Sequence, residues 1–400
     1  MNYFTKDFFT FKGYSVKKIE KYDKEIIISL TPRRKTAVCP KCENRSKKLF
    51  AKGGDKKVKH SKYEGKIVTV SFLKRRFACD VCKKPFSERA EFVKVKARAT
   101  DNYAFEAIYA LSRSSFSTVC ESYQTSCGFL SKSLLNIKFD DPWPKGELRL
   151  GFDEHAYGKR HMMITVCDLK NHKLLAILPY YNKEEVIRYL EKRPKEELFR
   201  VTELCFDMGF KQQRVVESFF PRAISVIDKF HVLFYAANLI DADRRIICPD
   251  VGRYKYENLR QTMRKPNWKL SEKQREYLSK VFKEYPDLKA RWDIYQKLVR
   301  FYGSKNRGEG KRKLEEIRED IHALKNTYLE SFAKTLKRLE NEILNYFENK
   351  TTNAFTEGTH TKIKMLKRTS YGFRNIDIYI KKMMLGFLPF IVISSLFLPH

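Results

Sequence analysis

Two Cys-x-x-Cys pairs constrain this chain more than any other feature. Cys39-Pro-Lys-Cys42 and Cys79-Asp-Val-Cys82 are separated by 36 residues. An i, i+3 thiolate pair on a short loop turns both sulfurs toward one ion, and two such pairs complete the tetrahedron of a structural Zn²⁺. The alternating run Lys66–Leu73 between them reads as strand, so a zinc ribbon is expected. His60 also lies between the pairs and reads as a solvated loop histidine rather than a substitute ligand. Nine cysteines, an odd number with four of them in this pattern, suit a reducing compartment and exclude a secreted disulfide framework. Cytoplasmic location is expected, and Met1–Thr10 lacks the apolar run of a signal peptide.

Charge narrows the partner. Lys and Arg number 81 against 48 Asp and Glu, a net charge of +33 that exceeds what solubility requires and points to a polyanion, with nucleic acid foremost. The first hundred residues hold 28 of the cations and only 10 of the acids, so that region is expected to touch phosphate. Lys74, Arg75 and Arg76 abut the second cysteine pair and are candidate phosphate contacts on a metal-stiffened surface. At 42% apolar content, 400 residues suffice for several domains with real cores and exclude a disordered chain. The apolar C-terminal run Met383–Pro399 is short for a bilayer span and is interrupted by Pro389, Ser394 and Ser395. It reads as a buried or protein-facing helix, with no membrane association.

Periodicity divides the rest. From Thr100 to Asn136 apolar anchors at Tyr103, Ile108, Leu111, Val119, Phe129 and Leu134 recur with helical spacing, compatible with a helix-turn-helix. Asp140–Gly146, with Pro142 and Pro144, reads as a linker. Strands are expected around Leu148–Asp153, His161–Leu169 and Lys173–Pro179. A helix Glu184–Lys192, strand Val201–Asp207, helix Lys211–Phe219, strand Ala223–Asp228 and helix Phe230–Arg245 follow. The order β-β-β-α-β-α-β-α is that of a mixed sheet covered by helices. Residues 246–345 are charged and helical in period and read as a helical insertion, after which Glu357 opens the basic helical stretch Gly358–Arg368.

Asp153 and Asp207 fall at the ends of two of these strands with 53 residues between them, so adjacent strands would bring both carboxylates to one sheet edge. Glu357, with a further 149 residues between it and Asp207, would reach them from a helix. Three hard oxygen ligands suit Mg²⁺ or Mn²⁺, and such ions support in-line displacement at phosphorus. Glu154 and Asp168 are neighbouring alternatives. On the helix, His360, Thr361, Lys364 and Arg368 share a face with Glu357, so cations follow the carboxylate.

Several blocks carry a family resemblance. Leu150–Tyr157, Val226–Val232 and Glu357–Asn375 resemble signature blocks of the ISL-three family of bacterial insertion-sequence transposases. The Cys-Pro-x-Cys and Arg75–Cys82 blocks resemble that family's zinc-binding N-terminus, although His360 stands where the family often has Asn. The resemblance implies a DDE transposase with an RNase H-like core, in which Asp153, Asp207 and Glu357 are catalytic and hold Mg²⁺ and in which Asp228 and His231 are supporting residues.

The whole is thus expected to be a multidomain α+β chain. Residues 1–98 form a zinc-ribbon DNA-binding domain, 99–140 a helix-turn-helix, and 147–245 and 346–400 the two parts of the catalytic core, with 246–345 inserted between them. Lys364, Lys367 and Arg368 join the first cationic group as DNA contacts. Double-stranded DNA at transposon ends and target is the expected partner, bound by a homodimer or higher oligomer because two ends must be held together, near the bacterial nucleoid. A zinc-ribbon regulator without catalysis, and a nuclease that cuts without joining, are the competing readings.

Overall fold

The computed structural model describes residues 10–139, 143–248 and 258–397. Linker residues Asp140, Asp141 and Pro142, residues 249–257 of the helical stretch, residues 1–9 and the tail 398–400 lie outside the described residues. The chain divides into two compact units, Met1–Asp140 with Ile363–His400, and Asp141–Lys362.

In the first unit, strands β1 (Tyr14–Lys21), β2 (Glu25–Pro32), β3 (Ala37–Val38), β4 (Arg45–Ser46), β5 (Leu49–Tyr63), β6 (Lys66–Ala78) and β7 (Pro85–Ser87) follow in order. The main sheet runs β1-β2-β6-β5, with β7 on β6 and a parallel pairing of β2 with β6. A two-residue turn joins β5 to β6. Glu64 and Gly65 both sit at positive φ there, as the twist of a tight hairpin requires. This long hairpin occupies most of the gap between the cysteine pairs, because its residues Val58, Val68, Val70 and Phe72 build one core with Ile26, Ile28 and Leu30 of β2. Three helices follow: α1 (Asp101–Leu111), α2 (Phe116–Ser122) and α3 (Cys127–Leu135). Each begins on a hydroxyl residue, Thr100, Ser115 or Ser126, whose side chain accepts a backbone N–H three residues on.

The second unit is built on β8 (Leu148–Gly158), β9 (His161–Asp168), β10 (Lys173–Leu178), β11 (Val201–Phe206) and β12 (Ile224–Ile227), ordered β10-β9-β8-β11-β12. The first three are antiparallel and β8, β11 and β12 are parallel, so the sheet is mixed. Helices α4 (Lys183–Glu191) and α5 (Lys195–Leu198) connect β10 to β11, α6 (Gln213–Ser218) connects β11 to β12, and α7 (Lys229–Ile247) leaves β12. This is the element order that the alternation of periods predicts, apart from the additional one-turn helix α5.

Beyond α7 the chain is helical: Leu259–Met263, Glu272–Glu284, Pro286–Phe301, Arg307–Ala323, Thr327–Arg338, Glu340–Leu344 and Tyr346–Asn349 (α8–α14). These helices share one core with the sheet, from Leu150, Phe152 and Phe206 to Leu298, Leu314 and Leu336. Helix α15 (Ala354–Thr369) follows.

The apolar C-terminus forms α16 (Ile376–Leu385) and α17 (Phe390–Ser395). Leu385 and Ile393 are buried with Phe105, Ile108, Leu111, Leu130 and Leu134 of α1 and α3, so this run completes a helical core inside the first unit. No helix among the described residues is long and apolar enough to cross a membrane. Lys382 of α16 is 1% exposed, and its ammonium donates to the carbonyls of Leu111 and Ser114, capping the end of α1.

Candidate functional site

Alternation along β8 sends Leu148, Leu150 and Phe152 into the main core and Gly151, Asp153 and His155 to the other face. Asp153 is 4% exposed. On the parallel neighbour β11, Cys205 lies opposite Gly151, so Asp207, two residues later, comes level with Asp153 at one edge. Asp228 directly follows β12 as the N-cap residue of α7, and His231 stands in that helix's first turn.

The N-terminus of α15 reaches these residues because Gly151 has no side chain. A Cβ there would lie 2.8 Å from Leu169 Cδ2 and Thr356 Oγ1, and closer still to Asn353 Oδ1. The Asn353 N–H donates to Asp228 Oδ1 at 3.1 Å and the Asn353 carbonyl accepts from Glu357 N–H, fixing where the helix starts. Gly151→Ala is therefore expected to push α15 outward. The overpacking costs about 1–3 kcal/mol. Thermal denaturation measures the effect, and unchanged stability would mean that α15 need not approach this closely.

His231 ties the pocket together. Its Nδ1 is 3.2 Å from Asp228 Oδ2, while Nε2 is 3.7 Å from Asp207 Oδ2 and 3.5 Å from Glu357 Oε1. Burial alone would depress its pKa, but the hydrogen bond to Asp228 and the charges of Asp207, Asp228 and Asp153 outweigh it and carry the value up to about 9. Asp153 is pushed up to about 7 by burial, partly opposed by the Glu154 N–H that it accepts and reinforced by the Glu357 carboxylate. Its Oδ2 is buried without a hydrogen-bond partner.

Donor atoms of Asp153, Glu357 and His360 all lie within 4.8 Å of one another. His360 Nδ1 is 3.7 Å from Asp153 Oδ2 and its Nε2 is 3.0 Å from Thr165 Oγ1, which is itself 2.8 Å from His155 Nδ1. Clustered carboxylates, one with an orphaned buried oxygen, form a donor set that suits a divalent cation. Asp207 joins this group through His231.

The alternative acids stand elsewhere. Asp168 accepts the N–H groups of Lys170 and Asn171 and the Asn171 amide, and so shapes the β9–β10 turn. Glu154 is exposed on the opposite side of β8, and Glu348 is exposed on α14. His360 carried no assigned role in the sequence, although it stands three residues after Glu357; it turns in toward the sheet, while Thr361, Lys364 and Arg368 stay exposed and Lys367 is half-buried.

A second constellation lies in the first unit. The sulfurs of Cys39, Cys42, Cys79 and Cys82 gather within 4.8 Å of one another. Two matching loops place them. Cys39 N–H bonds Asn44 O and Glu43 N–H bonds Cys39 O, and Cys79 repeats the pattern with Lys84 and Lys83. Glu43 and Lys83 both adopt positive φ, closing each loop tightly. The N–H groups of Lys41 and Cys42 draw the Cys39 thiol down to about 7, whereas Cys82, hydrogen-bonded to Cys42 and Cys79, is pushed up to about 12. Four adjacent thiols cannot all ionise without a cation among them, and the set is compatible with structural zinc.

Two sequence readings in this unit need correction. His60 is not a solvated loop residue: it sits on β5, half-buried, with its ring tilted against Phe11 and bonded to Thr100, because the segment is part of the long hairpin. Arg75 cannot share a phosphate surface with its neighbours, because successive strand residues face opposite ways. Lys74 and Arg76 point to solvent, while Arg75 is buried and engages Glu88 through both Nε and Nη2.

Fold and site together define a multidomain α+β protein with an acidic, cation-competent pocket at a sheet edge and a separate four-cysteine cluster. The family model described as transposase, of the ISL3 (ISL-three) group, matches residues 150–383, more than half of the chain. The chain belongs to the ISL-three family of insertion-sequence transposases. It is 23% identical over 393 residues, 94% of this chain and 96% of the relative, to the transposase for insertion sequence element IS1001 of Bordetella parapertussis. It is 24% identical over 265 residues, 59% of each chain, to the transposase for insertion sequence element IS1557 of Mycobacterium tuberculosis (strain CDC 1551 / Oshkosh).

Proposed function

We propose that this protein binds the terminal inverted repeats of an insertion sequence and catalyses metal-dependent DNA strand cleavage and strand transfer, using an RNase H-like core of the DDE type. The observation that carries this reading is the convergence of three acids from two strand ends and a helix: Asp153 and Glu357 meet beside His360, Glu357 and Asp207 meet at His231, and one buried Asp153 oxygen lacks a hydrogen bond. Sheet order β10-β9-β8-β11-β12, antiparallel then parallel, supports the RNase H-like assignment.

Asp153, Asp207 and Glu357 would hold Mg²⁺ or Mn²⁺. Bound there, such an ion would supply Lewis-acid stabilisation of the charge on the attacking and leaving oxygens of an in-line displacement at phosphorus. Asp228 is the positioning residue: one of its oxygens holds His231 and the other fixes the start of the helix bearing Glu357. His231 in turn holds Asp207 and Glu357 toward each other.

The four-cysteine cluster would bind one Zn²⁺, with α2 and α3 as a helix-turn-helix, and a dimer or larger assembly would hold two ends in the cytoplasm. Incubation with DNA carrying the element's ends and Mg²⁺ tests the reading. Nicking and joined products are expected; binding without any cleavage would favour the regulator, and cleavage without joining the nuclease.

Lys74 and Arg76 are solvent-facing cations on β6, the strand that leads into the second cysteine loop. Changing both to Ala should reduce the slope of log affinity against log salt by about 2, since each phosphate that a cation neutralises adds roughly 0.9 to that slope. Arg75→Ala should lower stability instead, because it leaves Glu88 without its partner. Salt titrations of end-binding and denaturation of each variant check this, and an unchanged slope for the Lys74/Arg76 pair would remove those residues from the interface.

A further inference from the structure

Cys120 of α2 and Cys127 of α3 play no part in the acidic pocket or the four-cysteine cluster, yet their sulfurs are 2.9 Å apart. The turn between the helices brings them there. Gln124 adopts φ 46°, the Thr125 N–H bonds Cys120 O, and the Gln124 N–H bonds Glu121 O. That paired 6→1 and 5→2 arrangement ends a helix on a left-handed residue and sends the chain back sharply. Ser126 then caps α3 through the Phe129 N–H, which makes Cys127 the first residue of the next helix. Backbone hydrogen bonds at both ends of a four-residue turn thus hold the two side chains in place. Cys127 is exposed and Cys120 half-buried, so one sulfur is open to a small solute. At 2.9 Å the two sulfurs are closer than the roughly 3.8 Å that two thiolates on one tetrahedral ion keep.

We propose that Cys120 and Cys127 form a reversible-modification site, at which a hydroperoxide oxidant closes an intramolecular disulfide across the α2–α3 turn. The Cys127 thiolate attacks one peroxide oxygen, breaking the O–O bond and giving the sulfenic acid and hydroxide. The Cys120 sulfur then attacks the sulfenic sulfur, forming the S–S bond and releasing water. Two thiols lose two electrons and two protons, and one hydrogen peroxide becomes two waters. A dithiol reductant reverses the change by exchange at the exposed sulfur. Oxidation would staple the end of α2 to the start of α3, so the turn could no longer open.

No Lys or Arg lies between Ser114 and Ser131, so trypsin releases both cysteines in one peptide, Ser114–Lys132, free of the other seven. The full-length protein is treated with hydrogen peroxide, quenched, alkylated, digested and weighed. Before treatment this peptide should carry two alkyl groups. After treatment it should carry none and weigh two hydrogens less than the reduced form, and dithiothreitol should restore double alkylation. Cys127→Ser, tested in parallel, should never give the peptide lighter by two hydrogens. Persistence of double alkylation at doses that already oxidise the exposed Met365 would overturn the proposal. So would sulfinic acid on either cysteine in place of the disulfide, or linkage of Cys120 to any cysteine other than Cys127.

Discussion

Glu357→Gln and Asp153→Asn should each reduce metal-dependent cleavage of DNA ends by at least about 10³-fold, roughly 4 kcal/mol of barrier, while leaving end-binding unchanged. Each substitution keeps the shape of the side chain and removes the negative charge that would hold the cation. The two positions are not equivalent in their surroundings. Asp153 is buried, with an oxygen that has no hydrogen-bond partner, so an amide there leaves polar atoms unsatisfied as well. Glu357 keeps a partly exposed side chain, and its change should be nearly silent in stability. Single-turnover cleavage, end-binding by mobility shift, and thermal denaturation separate these contributions. If Glu357→Gln cut at the parent rate, the third ligand would have to be sought elsewhere, and Glu348, exposed on α14, would be the nearest upstream acid.

Replacing Cys79 and Cys82 together by Ser should abolish zinc binding and unfold the two cysteine loops. The apolar support around the cluster is small: Ala37, Phe77 and Phe86, beside Cys39 and Cys79 themselves. So few side chains cannot offset the entropy of ordering two loops, and a structural zinc site contributes on the order of 10–16 kcal/mol to folding in isolated fingers. The main sheet of that unit has a separate core and should survive, so the loss should be local. Metal analysis, far-UV circular dichroism and end-binding measure the three consequences. Full zinc and full end-binding in the double variant would end the zinc-ribbon proposal.

Local pattern made much of the molecule legible. The period-2 runs of β8 to β12 and the helices between them are readable because each strand has a buried face that its own residues must supply. Both cysteine loops are readable because ligand spacing is a property of a few consecutive residues. Asp153 and Asp207 could be placed at one edge once their strands were taken as neighbours, and the parallel register of β8 with β11 makes them so. The antiparallel strand pair β1 and β2 went unread, since Tyr14–Lys21 alternates only weakly and β2 joins the sheet through a parallel pairing to β6.

The sequence by itself determined the element order of the mixed sheet, the composition of the cysteine cluster and the acidic residue types from which a site could be built, because each is written in short-range spacing. Tertiary structure alone decided which side chains meet. His360 reaches Thr165 across 195 residues, Gly151 matters only because Asn353 and Thr356 arrive against it, and Arg75 turns inward to Glu88 between two exposed cations. The apolar C-terminus likewise reads as a buried helix in isolation, but which core it enters follows from the return of α16 and α17 to α1 and α3. Periodicity fixes which face of an element is buried, whereas the identity of the group that covers that face depends on chain segments hundreds of residues away.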